Sequence, residues 1–523
     1  MGRAAGLFAP RLSDPERPAG ERLAATQAAV LGGAALPATP EEGPDPVAAV
    51  VGELLRQTVR RGGFFDDWAD SLEPAADRLA PAVAAAAAGE RTPEAAAASA
   101  YLARWARPSP RRVHDWLLDP SPWQRDEFRR MAAGSRKANA GRYRTLAARV
   151  AADPTAASEA DRRRAALAAA LLAESGEADL LPACLARSPE PALRVTLVSE
   201  LADGAASDAD LAAWANEAAG RGDPAAEEGF LQALAGRPRP GAAVVGQVAS
   251  RFQMAGDPGV HSSAAVCLAN WGAEAGRSPR LDRPAAGDGR LWRVNAEGMT
   301  LVRPPVKAAL GYEIEAAACE VTVDQIRRFD PGHYINYDTS PTPDCPANVV
   351  TFADAVGYCR WLTLRCGVSE EDQFYPAGVA AEAVSGADRR RLRTRGGYRL
   401  PTAEEYALLA RAGVRTPFEG GRTDRRMRDL TWVRENSDGR ARPVISGRPN
   451  AFGIFHAAGN ITEWCGDRGP GEQRVIAFGS HRTASDLTRL DDILESTHPG
   501  TEWNQLGFRV VRTAAPPVGR PDA

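Results

Sequence analysis

The chain has 523 residues, of which 44% are hydrophobic and 25% charged, so it has the composition of a folded protein with two to four domains. Its 64 Lys and Arg nearly balance 67 Asp and Glu, and the formal net charge of -3 excludes the basic excess of a nucleic-acid-binding protein. Only Lys137 and Lys307 are lysines, which argues against enzyme classes built on a lysine phosphate loop or a Schiff base.

Membrane and secretion signals are not found in the sequence. No apolar run approaches the roughly 18 to 20 residues that a membrane helix needs. The uncharged stretch from Leu23 to Pro40 follows three acidic residues and is rich in Ala and Gly, unlike a signal peptide. Seven scattered cysteines without a CxxC pair indicate reduced thiols. We therefore expect a cytoplasmic protein with no membrane and no nucleic-acid partner.

The first half of the chain is predicted to be helical. Residues 1–47 are rich in Pro, Gly and Ala without sustained periodicity, which predicts a flexible arm. Residues 48–276 carry apolar side chains at helical spacing and few β-branched runs, which predicts an α-helical domain. Prolines recur at intervals of 32 to 37 positions, at what we expect to be helix starts: Pro122, Pro154, Pro191, Pro224 and Pro258.

These prolines indicate a repeat. An Asp or Ser before a proline at the first helical position caps the free amides, while the ring pre-sets the backbone angle. The near-constant interval predicts stacked helix pairs that resemble degenerate HEAT repeats. An irregular helical bundle is the alternative, because the register varies and no repeat consensus is matched.

A change of composition predicts a second domain. Residues 277–290 are rich in Pro, Gly, Arg and Asp and are predicted to be a linker. Residues 291–513 contain more Gly, Trp, Tyr and Val in short strand-like runs, which indicates an α+β domain with much irregular structure. Residues 514–523 are predicted to be a disordered tail.

Three groups of motifs follow one another in the second domain. They are Glu320-Val321-Thr322 with the run 345–350, the run 397–406, and the run 449–465 followed by Gly479-Ser480 and Gly507-Phe508-Arg509. In order and spacing the set resembles the formylglycine-generating enzyme family, also called the sulfatase-modifying-factor domain. The resemblance implies a fold related to C-type lectins with little regular secondary structure.

The resemblance also implies a catalytic site, and here the sequence departs from the family. Members that make formylglycine oxidise a substrate cysteine with oxygen, using Cu(I) held by two cysteines just after Gly-Ser. The matching positions are Thr483 and Thr488, and no cysteine follows Cys465. A threonine hydroxyl does not replace the thiolate that Cu(I) requires, so we expect no copper and no catalytic residue. Ser480, His481 and Trp464 would line the remaining groove.

Structural calcium is the other cofactor that the resemblance implies. Gly459, Ile461 and Glu463 match one site, the first two through backbone carbonyls. His456 stands where Asn or Asp is usual, which weakens this site because imidazole is a poor calcium ligand. Asn436 matches the start of a second calcium loop and keeps an oxygen ligand.

Three functions compete. We favour a non-catalytic protein in which helical repeats present a groove that binds a peptide or protein, with residues 480–505 as recognition surface. The alternative is an enzyme: an oxidase that converts a substrate cysteine to formylglycine, or a divergent oxidoreductase acting on a thiol. A third hypothesis makes the same segment a hypervariable ligand-binding surface, as in retroelement-diversified proteins of similar fold.

Overall fold

A computed structural model describes most of the chain: residues 46–60, 65–87, 93–106, 118, 136–273, 289–380, 383–384, 386, 388–477 and 479–514. Nearly all of the predicted arm, most of the predicted linker, the tail beyond residue 514 and Pro122 lie outside these residues. The chain divides into two compact units, residues 1–146 and 147–523.

The first unit is helical where it is described. Its helices are α1 (Pro46–Arg60), α2 (Phe65–Leu72), α3 (Ala76–Ala87), α4 (Pro93–Ala106) and the start of α5 (Arg136–Ala152). The Tyr101 hydroxyl of α4 forms a 2.8 Å hydrogen bond with the Thr58 hydroxyl of α1. The Trp105 indole donates to the Ala69 carbonyl of α2 at 2.7 Å. Two buried polar contacts therefore fix α4 against α1 and α2.

The second unit begins with an array of helices that follows α5. They are α6 (Glu159–Glu174), α7 (Leu181–Cys184), α8 (Ala192–Glu200), α9 (Asp208–Gly220), α10 (Pro224–Ala235), α11 (Ala242–Met254) and α12 (Pro258–Asn270). The prediction of a helical first half is confirmed for the residues that the structure describes.

Three of the recurring prolines mark helix starts. Pro224 and Pro258 occupy the first positions of α10 and α12, and Pro191 is the residue immediately before α8. The carboxylates of Asp223 and Asp257 each accept a 3.1 Å hydrogen bond from a backbone amide of the first turn. The capping chemistry predicted from the sequence therefore operates at α10 and α12.

Pro154 is an exception, and its prediction as a helix start is wrong. It lies in a turn, and α6 begins only at Glu159, with Ser158 as its cap. The Asp153 carboxylate accepts hydrogen bonds from the amides of the next two non-proline residues, so it closes the turn instead of capping a helix.

The α+β region has short helices between short strands. Its helices are α13 (Lys307–Leu310), α14 (Val323–Phe329), α15 (Phe352–Arg365), α16 (Arg389–Thr394), α17 (Ala403–Arg411) and α18 (Met427–Leu430). Its strands are β1 (Trp292–Val294), β2 (Thr300–Val302), β3 (Ile314–Ala317), β4 (Thr462–Arg468), β5 (Arg474–Ala477), β6 (Leu494–Thr497), β7 (Leu506–Gly507) and β8 (Val511–Thr513). They form two four-stranded sheets, ordered β1-β2-β3-β8 and β6-β5-β4-β7.

Several sequence motifs turn out to be helix starts. A threonine precedes each of α14, α15 and α17, and the third helical residue is Gln325, Asp354 or Glu405. In each case the threonine hydroxyl accepts a hydrogen bond from the backbone amide of that third residue. The side chain of the third residue in turn accepts a hydrogen bond from the threonine amide. Three reciprocal capping boxes thus fix the helices around the core.

Large aromatic side chains fill the core of this region. Trp464 on β4 is fully buried, and its indole donates to the Val350 carbonyl at 2.7 Å. Its ring meets that of Phe352 edge-on at 5.8 Å. Tyr358 and Phe508 form a second edge-on pair at 5.4 Å. Such bulky residues compensate for the shortness of the strands.

The helical array and the α+β region pack into one compact unit. The His261 ring of α12 is stacked between Phe252 of α11 and Trp292 of β1, with ring centroids at 4.5 and 3.5 Å. The Trp292 indole donates to the Ala255 carbonyl at 2.6 Å. The two compact units divide at residue 146, and aromatic packing joins the elements on both sides of the segment 277–290 within the second unit.

Candidate functional site

The site predicted after Gly-Ser lies beside a tight approach of backbone segments. A Cβ atom at Gly459 would come within 2.5 Å of the Thr431 hydroxyl and 2.7 Å of the Trp432 carbonyl, so only glycine fits there. Asn460 follows with a left-handed φ of +62°, a conformation that Asn tolerates better than most residues. This turn carries the chain into β4.

Asn460 connects four segments of the region. Its amide donates to the Trp432 carbonyl, and its side-chain oxygen accepts from the Arg442 amide, both at 2.8 Å. Its side-chain amide donates to Glu320 at 3.0 Å. Its carbonyl accepts from both the backbone amide and the ring Nδ1 of His481, each at 2.8 Å. Asn460 therefore holds the segment after Gly479-Ser480 against the centre of the domain.

His481 is buried, so it does not line an open groove. Because Nδ1 faces a carbonyl and must donate, Nε2 is the ring nitrogen that can accept, and no hydrogen-bond donor among the described residues reaches it. Burial, together with the Arg482 charge, lowers the pKa of His481 to about 4. The ring is therefore neutral at physiological pH.

Thr483 and Thr488 are both buried, and their hydroxyls are hydrogen-bonded within the segment itself. The Thr483 hydroxyl accepts from the Ser480 amide at 3.1 Å and lies 3.3 Å from the Ser480 hydroxyl. The Thr488 hydroxyl donates to the Ser485 carbonyl at 2.7 Å. The Ser480 hydroxyl is also 3.4 Å from the Gln505 side-chain oxygen. The two threonines thus act as turn-forming residues.

A buried ion pair lies beneath this segment. Arg509 donates to both carboxylate oxygens of Glu463, through Nε at 2.7 Å and through Nη2 at 2.5 Å. Tyr406 donates to the same carboxylate at 3.0 Å. Burial works against the charge of Arg509, but the Glu463 carboxylate outweighs it and raises the pKa of Arg509. Sequence reasoning missed this pair, although both residues belong to quoted motifs.

Glu320 is a second buried carboxyl group near the pair. Burial and the neighbouring Glu463 raise the pKa of Glu320 to about 8, against the opposing effects of Arg509, a backbone hydrogen bond and the Asn460 side chain. One of its oxygens accepts from Asn460, and the other has no hydrogen-bond partner among the described residues. Burial therefore favours the neutral form of Glu320.

Comparison with known proteins identifies the domain that contains these residues. A family model described as the sulfatase-modifying factor enzyme 1-like domain matches residues 308–514. The C-terminal half is a sulfatase-modifying-factor domain. This confirms the resemblance found in the sequence.

Curated relatives carry one name. The formylglycine-generating enzyme of Thermomonospora curvata is 32% identical over 120 residues, which are 21% of this chain and 37% of the relative. The formylglycine-generating enzyme of Streptomyces coelicolor is 24% identical over 208 residues, which are 34% of this chain and 55% of the relative. The chain thus spans about a third to a half of the length of these relatives.

Among solved structures, Treponema denticola variable protein 1 is 21% identical, with a TM-score of 0.33 over 39% of this chain and 85% of that chain.

The sulfatase-modifying-factor domain does not offer the ligands that Cu(I) needs at the expected place. Thr483 and Thr488 supply neutral hydroxyls, whereas Cu(I) is bound by soft thiolates. Cys465 is buried, and burial holds the pKa of its thiol well above the ordinary value, so no thiolate forms there. The residues present do not fit copper.

The predicted calcium ligands of the domain also have protein partners. Both carboxylate oxygens of Glu463 are bonded to Arg509, so this carboxylate does not fit calcium. His456, buried between the Thr431 and Ser446 hydroxyls at 3.2 and 3.4 Å, is neutral because burial and Arg509 lower its pKa to about 3. Gly459 and Ile461 lie in the turn before β4 and hydrogen-bond to each other there.

Asn436 retains some capacity for a metal. Its side-chain oxygen accepts one hydrogen bond, from the Val433 amide at 2.8 Å, and an amide oxygen has two lone pairs. Its side-chain amide donates to the carbonyls of Arg428 and Thr431. The residue therefore shapes its own loop and keeps one acceptor position.

Trp464 does not belong to the groove. Its ring is fully buried in the core, because β4 alternates its side chains and places Trp464 on the face opposite Glu463. The residues that do approach the Ser480 hydroxyl are Arg482, through its backbone amide, and Thr483 and Gln505, through their side chains. Across the described part of the chain, no helix has the length and apolar character to cross a membrane.

Proposed function

We propose that the sulfatase-modifying-factor domain of this protein is non-catalytic and binds a peptide or protein through residues 480–505. The observation that supports this most is the state of Thr483 and Thr488, which stand where the resemblance requires two cysteines. Both hydroxyls are engaged in local hydrogen bonds, so the positions have become structural.

The exposed part of this segment is suited to recognition. Leu487, Leu494 and Trp503 expose 57, 39 and 43% of their surface, although large apolar side chains are usually buried. They lie on or beside β6 and the loops around it, on a framework that tolerates loop variation. Apolar side chains on rigidly held loops favour a protein or peptide as ligand.

The proposal extends to the fold of both parts of the chain and to the place where the protein works. We propose that residues 48–276 are a HEAT-like helical array and that the C-terminal fold is related to C-type lectins. We also propose that the protein works in the cytoplasm without membrane or nucleic-acid partners. The regular helix starts at Pro191, Pro224 and Pro258 support the array.

A copper titration tests the non-catalytic half of the proposal. We expect the wild-type protein to take no Cu(I) from a chelator of moderate affinity, since its buried thiols are protonated. The variant Thr483→Cys with Thr488→Cys provides the positive comparison, and Thr483→Ser with Thr488→Ser provides a matched control without thiols. Stoichiometric, tight Cu(I) binding by the wild type would refute the proposal.

A selection experiment tests the binding half. A random peptide library displayed on phage is panned against the full-length protein, and enriched peptides are measured again with a Trp503→Ser variant. The proposal predicts enriched peptides whose affinity falls at least tenfold in this variant, because an anchor aromatic contributes more than about 1.4 kcal/mol. Peptides that bind both proteins equally would place the ligand elsewhere.

The second candidate function is oxidation of a substrate cysteine to formylglycine. The observation in its favour is the name that both curated relatives carry, formylglycine-generating enzyme. The missing cysteine pair argues against it in this chain.

A further inference from the structure

We infer that the helical array positions residues 480–491, which are the first part of the proposed recognition surface 480–505. These residues are called the recognition segment below. The connection runs through a strap of irregular chain between the array and this segment. The strap is residues 415–456, and its helical structure is limited to one 3-10 turn at Asp424–Arg426 and the four-residue α18. One side of the strap contacts helices α6, α8, α10 and α12, and the other side contacts residues 480–491. The inference rests on the proposed function only for the role of residues 480–491 in recognition.

The helix side begins with a shared carboxylate. Glu190, just before α8, accepts hydrogen bonds from Arg162 of α6 and from Arg422 of the strap. Arg162 is buried and the Glu190 side chain is only 10% exposed, so the charge of Glu190 is compensated mainly by these two guanidinium groups. Loss of Arg422 would remove the strap's contribution to a largely desolvated cluster.

A second contact joins α8 to the middle of the strap. The Ser199 hydroxyl donates to the Asp429 carboxylate at 2.9 Å and accepts from Arg448 at 3.1 Å. The Arg448 amide donates to the carbonyl of Leu430. Ser199 thus ties together both ends of the loop that follows α18.

The end of the strap is fixed by α10 and α12. Gln232 donates to the Pro449 carbonyl at 2.9 Å, and Ser262 donates to the Gly453 carbonyl at 2.8 Å. Gly453 has a φ of +77°, and a Cβ there would lie 2.5 Å from the Pro258 carbonyl at the start of α12. The end of the strap therefore lies directly against the last part of α10 and the start of α12.

The other side of the strap holds the recognition segment. The Ser485 hydroxyl donates to Asp424 at 2.6 Å, and the Leu490 amide donates to the Pro417 carbonyl at 2.7 Å. The Arg434 amide donates to the Thr483 carbonyl at 2.9 Å. A fourth contact runs from the Ser437 hydroxyl to the His481 carbonyl at 2.6 Å.

The two sets of contacts alternate along the same short stretch of chain. Arg422 bonds to the helical array, and Asp424, two residues later, bonds to the recognition segment. Irregular chain has no internal ladder of hydrogen bonds, so its conformation depends on contacts made with its neighbours. Loosening the helix side should therefore loosen residues 480–491.

Hydrogen exchange measured by mass spectrometry on the full chain tests this inference. The variant Gln232→Ala with Ser262→Ala removes two buried side chains of α10 and α12 that donate hydrogen bonds to the strap. It changes no residue of the recognition segment. We expect amide exchange of peptides covering residues 481–491 to accelerate about threefold to tenfold, as the loss of a net hydrogen bond or two would give. Arg422→Gln should act in the same direction.

A control separates this effect from general loosening of the array. Arg251 pairs with Glu227 between α11 and α10 and makes no contact with the strap among the described residues. Arg251→Gln should accelerate exchange in α10 and α11 and leave residues 481–491 unchanged. If the double variant does not fold, the single Ser262→Ala variant is read by the same criterion.

Two results would overturn the inference. One is unchanged exchange of residues 481–491 when the strap itself is loosened. The other is equal acceleration in the Arg251→Gln control. Because no ligand takes part in this measurement, its failure would leave the proposed peptide binding standing.

Discussion

At the scale of single residues, the domain depends on buried polar side chains that each join several segments of the chain. Asn460 uses its backbone amide, its carbonyl and both atoms of its side-chain amide to join four segments. Glu463 and Arg509 form a pair with no exposed surface. Buried groups of this kind stabilise one arrangement of the chain, because a buried polar group that loses its hydrogen-bond partner costs free energy.

Glu463→Gln is predicted to destabilise the protein strongly. The substitution keeps the shape of the side chain but removes the carboxylate charge that pairs with the buried Arg509 guanidinium, which costs about 3 to 5 kcal/mol. The free energy of unfolding in urea measures the loss. Glu313→Gln is the control, since Glu313 and Lys307 form an exposed pair and the expected loss is below about 1 kcal/mol. Equal losses in the two variants would contradict this reading.

His261 is predicted to make stability depend on pH. Burial, with a further contribution from Arg290, lowers the pKa of His261 to about 4, whereas an unfolded histidine has its ordinary value near 6.5. As pH falls from 6.5 towards 4, the unfolded chain gains a proton that the folded chain does not, so stability falls. The total contribution is about 3 kcal/mol, lost below pH 6.5 and present above it.

The variant His261→Phe isolates this effect, because it keeps a ring between Phe252 and Trp292 and does not titrate. Urea unfolding of both proteins at pH 7 and pH 5 gives the comparison. The wild type should lose about 2 kcal/mol more than the variant between these pH values. Identical pH dependence would show that the folded state admits a proton at His261.

At the scale of elements, helix starts are where the sequence was most informative. Asp-Pro at 223 and 257 and the three threonine capping boxes have local causes, so they are readable from neighbouring residues. Pro154 shows the limit: Asp153 satisfies turn amides as well as helix amides, and the sequence alone does not decide between them.

The cap of α10 yields a quantitative prediction. Asp223→Ala removes the acceptor for the Ala226 amide and should cost about 1 kcal/mol of unfolding free energy. Asp223→Asn keeps an oxygen acceptor and should stay within a few tenths of a kcal/mol of the wild type. Thermal or urea unfolding of the two variants measures these losses. If Asp223→Asn lost as much unfolding free energy as Asp223→Ala, the effect would come from the charge of Asp223 and not from its hydrogen bond to the helix.

The Asn436 loop is predicted to retain weak calcium affinity. Its side-chain oxygen has one free lone pair, whereas calcium takes six to eight oxygen ligands, so carbonyls and water would have to supply the rest. Calorimetric titration with calcium chloride, with Asn436→Ala as comparison, measures the difference. We expect heat from the wild type that the variant lacks; the same heat from both would assign any calcium to another place.

At the scale of the whole molecule, the motifs identified the domain but not how the chain packs around it. Family motifs are local and predicted a domain at residues 291–513, and the family model matches residues 308–514. The contacts of Gln232 with Pro449 and of Ser262 with Gly453 join residues about two hundred positions apart, and neither end carries a sequence pattern that names its partner. The compact unit of residues 147–523 was therefore not predictable.

This packing changes what cleavage between the two halves should do. A protease that cuts within residues 274–288 should leave two fragments that elute together in gel filtration, since aromatic stacking and buried hydrogen bonds join the pieces. Separation requires denaturant, and the same cut should lower the unfolding temperature. Fragments that separate in native buffer would contradict the single compact unit.

The central proposal is that this sulfatase-modifying-factor domain is non-catalytic and does not convert a substrate cysteine to formylglycine. The most direct measurement is mass spectrometry of a sulfatase-type cysteine peptide incubated with the purified full chain, Cu(I) and oxygen. The account predicts a peptide of unchanged mass over a time in which an active formylglycine-generating enzyme converts it completely. Appearance of the formylglycine product with the wild-type chain, and its absence in the variant Ser480→Ala, would contradict the account.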